Sequence, residues 1–323
     1  GNAYVTGVTG STNFPKTRGA YDAAFQPTKA PLPDAFGEAF VSKFSPDGKD
    51  LVYSTYLGGD DADGANAIAV DSAGNAVIVG ATASSNFPTT ANAYRRTLAG
   101  DESLKTDLFI SMLNKEGDGL VYSTYFGSST ELLDFSFEGT AITLDAAGKI
   151  YIGGQAPVGF PTRTPAQRSH GGGQFDAYVA KFDPEATGDK SLIYATYLGG
   201  TANESVLSIA VDAAGNAYAR GGTCSSGFPV PQGAYQTTRR GPCAAFLTKL
   251  SPDGSRLLYS TFLGGSSYEY GVLASASGGP ICEMISCPES ARIYSSEFGG
   301  SAYGAGVAVD ASGNVHVTGV TFS

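Results

Sequence analysis

Three carboxylates crowd one short turn: Asp60, Asp61 and Asp63, between Gly59 and Gly64. Hard oxygen ligands on a glycine-flanked turn suit calcium. The run lacks the alternation and closing Glu of an EF-hand loop, so a solvated acidic turn is the competing reading. The two histidines are His170, in Ser-His-Gly-Gly-Gly, and His316. Neither comes with the partners of a Ser-His-Asp triad, and there is no GxSxG, phosphate loop or HExxH. Paired-carboxylate glycoside hydrolysis is the catalytic chemistry the remaining acidic residues would serve. Against it, most copies of the repeat described next look alike, and the chain reads as non-enzymatic. No cofactor is expected beyond calcium at the acidic turn.

These residues sit in a strong internal repeat, the signature of a fold built from stacked units. YSTYLGG at Tyr53–Gly59 returns as YSTYFGS at Tyr122, YATYLGG at Tyr194 and YSTFLGG at Tyr259, a period of roughly 70 residues. A degenerate copy, YSSEFGG, starts at Tyr294. AIAVDSAGNAVIVGAT from Ala67 has counterparts from Ala141, Ser208 and Gly306. Phe-Pro pairs stand at Phe14, Phe87, Phe160 and Phe228, and a phrase like DAFVSKFSPDG lies around Phe40, Phe109, Tyr178 and Phe246. Each period holds four short runs rich in Val, Ile, Tyr, Phe and Thr, joined by Gly- and Asn-bearing turns that suit hairpins. No window carries a helical apolar stripe. Four antiparallel strands, A to D, in about 70 residues fit one propeller blade. The repeated Tyr and Phe are then the large groups packed between blades. Asp71, Asp145, Asp212 and Asp310 share one turn position, where a carboxylate can accept backbone N–H bonds. His316 fills a slot held elsewhere by Tyr4, Val77, Tyr151 and Tyr218.

The combination of AVDxxGNAYVTGxT, FPxxxGAY, DAFVxKFSPDG and YSTYLGG resembles the bacterial SBBP (beta-propeller) repeat over most of the chain, with Tyr268–Ala291 the weak stretch. IAVDxxGN also resembles NHL repeats, but the other phrases favour SBBP. The resemblance implies an all-β propeller of four-stranded antiparallel blades, exported or on a bacterial cell surface, with no catalytic motif. Read as a single domain over 1–323, the chain divides into blades at about 1–59, 66–128, 139–200, 207–265, a degenerate 270–300 and a partial 305–323. That makes five to six visible blades, within a seven-bladed or longer array. Both ends stop on strand B, which reads as a segment or processed form.

In such blades the A–B and C–D turns share one face and the B–C and D–A connections share the other. The B–C connections run to roughly 20 residues, long enough to be functional or to fold on their own. They carry Arg18, Arg95, Arg96, Arg168, Arg239 and Arg240. The D–A connections are acidic. Either this face binds a partner, or the Phe-Pro and Gly-Ala-Tyr pieces tuck the loops down and the opposite charges pair. Net charge is −10 with a pI near 4.7, which argues against nucleic acid. No stretch reaches the length of a membrane span. Cys224 follows strand B and Cys243 precedes strand C of one blade, so a disulfide between them is geometrically plausible. Cys282 and Cys287 could close a small loop in the degenerate copy. Zinc or free thiols are the alternatives. Paired cysteines point to an extracytoplasmic, oxidising compartment. The resulting expectation is a scaffold binding protein partners in an extracellular or envelope assembly, with a carbohydrate- or calcium-binding surface module as the alternative.

Overall fold

The computed structural model describes residues 1–26, 37–99, 106–128, 141–266, 306–310 and 312–318. Regular structure there is antiparallel strand apart from one 3-10 turn at Gly188–Ser191. β1 (Ala3–Thr9), β2 (Glu38–Phe44) and β3 (Leu51–Leu57) form a three-stranded sheet. Three complete four-stranded blades follow. The first is β4 (Asp63–Val70), β5 (Ala76–Thr82), β6 (Asp107–Leu113) and β7 (Leu120–Phe126). The second is β8 (Ala141–Leu144), β9 (Ile150–Ala156), β10 (Asp176–Phe182) and β11 (Leu192–Leu198). The third is β12 (Glu204–Val211), β13 (Ala217–Thr223), β14 (Ala244–Leu250) and β15 (Leu257–Leu263). A hairpin of β16 (Gly306–Val309) and β17 (Val315–Thr318) comes last. Strand order within each blade follows the chain, as expected for strands A to D. Among the described residues the first sheet has strands B to D and the last has strands A and B. The degenerate copy at 270–300, with Cys282 and Cys287, lies outside the described residues.

Turn chemistry explains the hairpins. Asp71 Oδ1 accepts the N–H groups of Ala73 (2.9 Å) and Asn75 (2.8 Å), and Asp145, Asp212 and Asp310 repeat the arrangement. This is the Asx-type role expected for them. His316 Nε2 lies 3.4 Å from Asp310 Oδ2, where Tyr151 and Tyr218 donate to Asp145 and Asp212. It is the same slot filled by a different side chain. Every C–D hairpin carries a bulge at one place: Lys43/Phe44, Met112/Leu113, Lys181/Phe182 and Lys249/Leu250. The extra residue on the opposite strand is Val52, Val121, Ile193 or Leu258. Bulged residues leave the ladder, which explains why Val52, Val121 and Leu258 are exposed.

The core lies between blades. Three apolar clusters fill the successive interfaces from β1–β3 to β12–β15, so the β4–β7 and β8–β11 blades are buried on both faces. The first Tyr of YSTY is the hinge of each contact. Tyr53 lies against Gly117 in the C–D turn of the next blade, and Tyr194 lies against Gly254. Both glycines have positive φ (75° and 70°), and a methyl group on either would collide with the ring. Tyr122 instead donates to Ser191 Oγ at 3.1 Å, where the turn is longer. Inner strands pack in succession, β4 on β8, β8 on β12 and β12 on β16. The β16–β17 hairpin therefore sits directly against the β12–β15 blade. No sheet joins the first and last units among the described residues.

Candidate interaction face

The long B–C connections are held by the YSTY phrase of strand D. In the β4–β7 blade, Thr90 N donates to Ser123 O (3.0 Å) and Tyr125 N to Arg95 O (3.1 Å), so the loop runs along the outer edge of β7. Ser123 Oγ donates to Pro88 O at 2.6 Å, Thr124 Oγ1 accepts from Arg95 N at 2.9 Å, and Tyr125 Oη donates to Ser84 O at 2.7 Å. Ser54, Thr55 and Tyr56 do the same for residues 11–22. Unpaired strand edges are a liability, and these loops cover them. The Phe of Phe-Pro tucks inward: Phe87 stacks on Phe109 at 4.5 Å and Phe228 on Phe246 at 4.5 Å. The inward tuck of the Phe-Pro pieces is one of the two readings the sequence offered for these loops, whereas the YSTY hydroxyls that hold the loops were not foreseen. Their partners lie some 30 to 45 residues away, beyond the reach of local pattern.

The basic residues divide. Arg18, Arg96, Arg168 and Arg240 are exposed. Arg95 turns inward: its NH2 donates to Asp107 Oδ2 at 2.6 Å and its NH1 to Gly127 O at 3.2 Å. Arg239 NH1 donates to Gly241 O at 2.6 Å within its own loop. Arg95 is therefore an internal strut, paired with a carboxylate of strand C and not with the D–A acids that the charge-pairing reading named, while the four exposed arginines remain on loops of successive units.

The acidic turn separates too. Asp63 opens β4 and is buried; its Oδ2 accepts from Gly59 N (2.7 Å) and Ser84 Oγ (2.9 Å). Asp60 N donates to Asn86 Oδ1 at 2.9 Å, and Asp61 Oδ1 accepts from Ala62 N at 2.9 Å. Asp63 is thus a buried strut between the LGG turn and its own loop, joined to Asp61 through Ser84, whose Oγ also accepts from Asp61 N at 2.8 Å. Among the described residues no group of three or more His, Cys, Asp or Glu side chains is placed to hold a metal.

The structure groups Asp63 with four other buried carboxylates, a set that sequence reading did not bring together. Glu38, Asp107 and Asp176 each begin strand C, and Asp63 and Glu204 begin strand A. Each holds a backbone N–H: Gln26 to Glu38 (3.0 Å), Ala99 to Asp107 (2.7 Å), Gly171 to Asp176 (2.8 Å) and Gly200 to Glu204 (2.8 Å). Burial pushes Glu38 up to about 8, Asp63 and Glu204 to about 7, and Asp107 and Asp176 to about 6, with Arg95 pulling Asp107 back down. The charge of Asp63 adds to the rise at Glu38, and that of Asp176 to the rise at Glu204. His170 Nε2 lies 3.7 Å from Asp176 Oδ1, and burial lowers the histidine. The recurring Asp or Glu before each strand was a visible signal; its burial was not.

In the β12–β15 blade the strand C carboxylate is replaced by Ala244. Cys243, the residue before it, is joined to Cys224. This disulfide matches the pairing the strand ends suggested. No helix among the described residues is long and apolar enough to cross a membrane.

With blades, loops and anchors in place, comparison with known families is direct. Residues 52–88 match the SBBP beta-propeller repeat. The matched stretch runs from β3 through the β4–β5 hairpin to Pro88. The SBBP unit is therefore offset from the blade: it joins strand D of one sheet to strands A and B and the Phe-Pro loop of the next. No curated protein matches the chain.

Proposed function

We propose that the protein is a non-enzymatic, exported scaffold that binds an acidic protein partner through the outer rim of its B–C loops. The observation that carries this reading is that Arg18, Arg96, Arg168 and Arg240 stand exposed on loops of successive units, although the chain as a whole is acidic. The blades supply the rigid platform on which such loops act. The Cys224–Cys243 disulfide fits an oxidising compartment. The non-enzymatic part rests on the carboxylates. Glu38 with Asp63 and Asp176 with Glu204 have raised pKa values of the kind glycoside hydrolysis uses. They are nonetheless enclosed and bonded to loop and turn amides.

Cross-linking pull-downs from the native cell envelope test it, comparing the intact chain with a variant in which all four arginines become Glu. The expected result is an acidic protein recovered with the wild type, released by salt, and lost from the variant. Equal recovery by both would refute the rim as the contact. The competing carbohydrate or calcium reading is checked by a glycan array with and without EDTA, where no binding in either condition is expected.

A further inference from the structure

The run Ser-His-Gly-Gly-Gly, residues 169–173, lies in the B–C loop of the β8–β11 blade. That loop is held differently from its counterpart in β4–β7, where Arg95 gives Asp107 a permanent counter-charge at 2.6 Å. Here Gln167 takes the place of Arg95: its N–H donates to Thr196 Oγ1 at 2.9 Å, as that of Arg95 does to Thr124 Oγ1. Gln167 Nε2 (3.1 Å) and Gly171 N (2.8 Å) both donate to Asp176 Oδ2. The other oxygen, Oδ1, is buried without a hydrogen-bond partner. His170 Nε2 lies 3.7 Å from it and is likewise buried and unpartnered. The His170 side chain is 7% exposed and that of Asp176 0%. Tyr197 of β11 closes the site, its ring edge-on to the imidazole at 5.6 Å. Glu204, at the start of β12, feels the charge of Asp176, and Arg168 stands exposed two residues before the histidine.

We propose that His170 and Asp176 form a proton-operated latch on the B–C loop of β8–β11. Without the proton, a ring nitrogen and a carboxylate oxygen face each other just beyond bonding distance. One added proton makes an imidazolium, which always presents Nε2–H to Oδ1; the neutral ring does so in only one of its tautomers. The charge-assisted bond shortens to about 2.8 Å, and the attraction is stronger in this enclosed site than at the surface. Closing the gap draws residues 167–175 onto the start of strand C. Gly172 (φ 149°) and Gly173 (φ 68°) hold backbone conformations that suit glycine, so the histidine-bearing segment can swing when the latch is open. Burial lowers the histidine and lifts Asp176 to about 6, so the pair takes its proton, as one unit, when pH falls through about 6. By linkage, the closed loop holds that proton more tightly than the open one. Acid therefore tightens this loop and fixes the rim at Arg168, and alkali loosens it. The latch is a property of the loop and stands whether or not the rim binds an acidic partner.

Hydrogen exchange of residues 167–175 in the full chain at roughly pH 5 and pH 8, each corrected for intrinsic exchange, tests it. Wild type is expected to be about 10-fold better protected at the lower pH. His170→Gln keeps a neutral donor but cannot take the proton, and should bring that ratio close to one. Glu204 and the other buried carboxylates are present in both proteins, so the difference between them reports the latch. A second readout needs no variant: the His170 ring, followed by NMR in the wild type, should titrate over the same window in which protection changes. Equal pH ratios in wild type and His170→Gln overturn the proposal, as does a His170 that titrates outside that window. Should His170→Gln lower the melting temperature, the wild-type titration decides.

Discussion

The β4–β7 and β12–β15 blades hold B–C loops in opposite ways. In the first, Arg95 reaches from the loop to Asp107 at the start of strand C, and Ala99 N adds a second bond to the same carboxylate. Thr90 N pins the loop to the strand D edge. In the second, Gln236 stands for Arg95, Ala244 for Asp107, and Pro231, which has no N–H to donate, for Thr90. The Cys224–Cys243 disulfide closes that loop instead. The repeat thus keeps the mechanical task and exchanges the chemistry, electrostatic in one blade and covalent in the other.

The exchange makes the two blades answer to different perturbations. The largest effect is expected from Cys224→Ser or reduction, which should lower unfolding free energy by about 3 kcal/mol and open residues 225–242 to proteases while leaving 83–99 protected. A denaturant melt and limited proteolysis check both parts, and equal cleavage of the two loops would erase the contrast. Arg95→Met should cost about 2 to 3 kcal/mol because Asp107 is left buried without its counter-charge. Adding Asp107→Asn should recover much of that loss, and reductant should not alter it.

Next comes Tyr94→Ala, expected to cost about 2 kcal/mol through lost contacts with Phe126 and Phe182. A pH effect is smaller per residue. The carboxylates of Glu38, Asp63, Asp107, Asp176 and Glu204 all lie above their ordinary values, between about 6 and about 8. The folded chain therefore holds protons that the unfolded chain releases near pH 4, and stability is full below that point. It is lost as pH rises through the folded values. The melting temperature should fall between roughly pH 5 and pH 8, and Asp63→Asn should remove about 1 kcal/mol of that slope. A rising melting temperature over the same window would contradict the burial of these groups. The smallest effect is expected for Tyr235→Ala, within about 0.5 kcal/mol, because its ring is exposed. A loss as large as that at Tyr94 would place a neighbour over it.

Much of this architecture was legible in order and spacing. The recurrence of YSTY, Asp-x-x-Gly-Asn and Phe-Pro sets the strand order, the Asx turns at Asp71, Asp145, Asp212 and Asp310, and the proximity of Cys224 to Cys243. All of these depend on residues close in the chain or on strand ends that an antiparallel blade must bring together. The site was less legible. Arg95 and Arg96 are neighbours of one type, yet one is half-buried against Asp107 and the other exposed. Asp60, Asp61 and Asp63 look like one cluster of side-chain ligands, yet the Asp63 carboxylate is buried and taken up by Gly59 N and Ser84 Oγ.

What the amino-acid order determined alone is the blade: which runs pair, where they turn, and which aromatic recurs at each position. Those are properties of period and local conformation. Only the tertiary structure decided which charges are spent inside and which face solvent. The environment of Glu38, Asp63 or Arg95 is made by a loop or a neighbouring blade that folds against it, and the cost of burying a charge is set by those partners rather than by its neighbours in the chain.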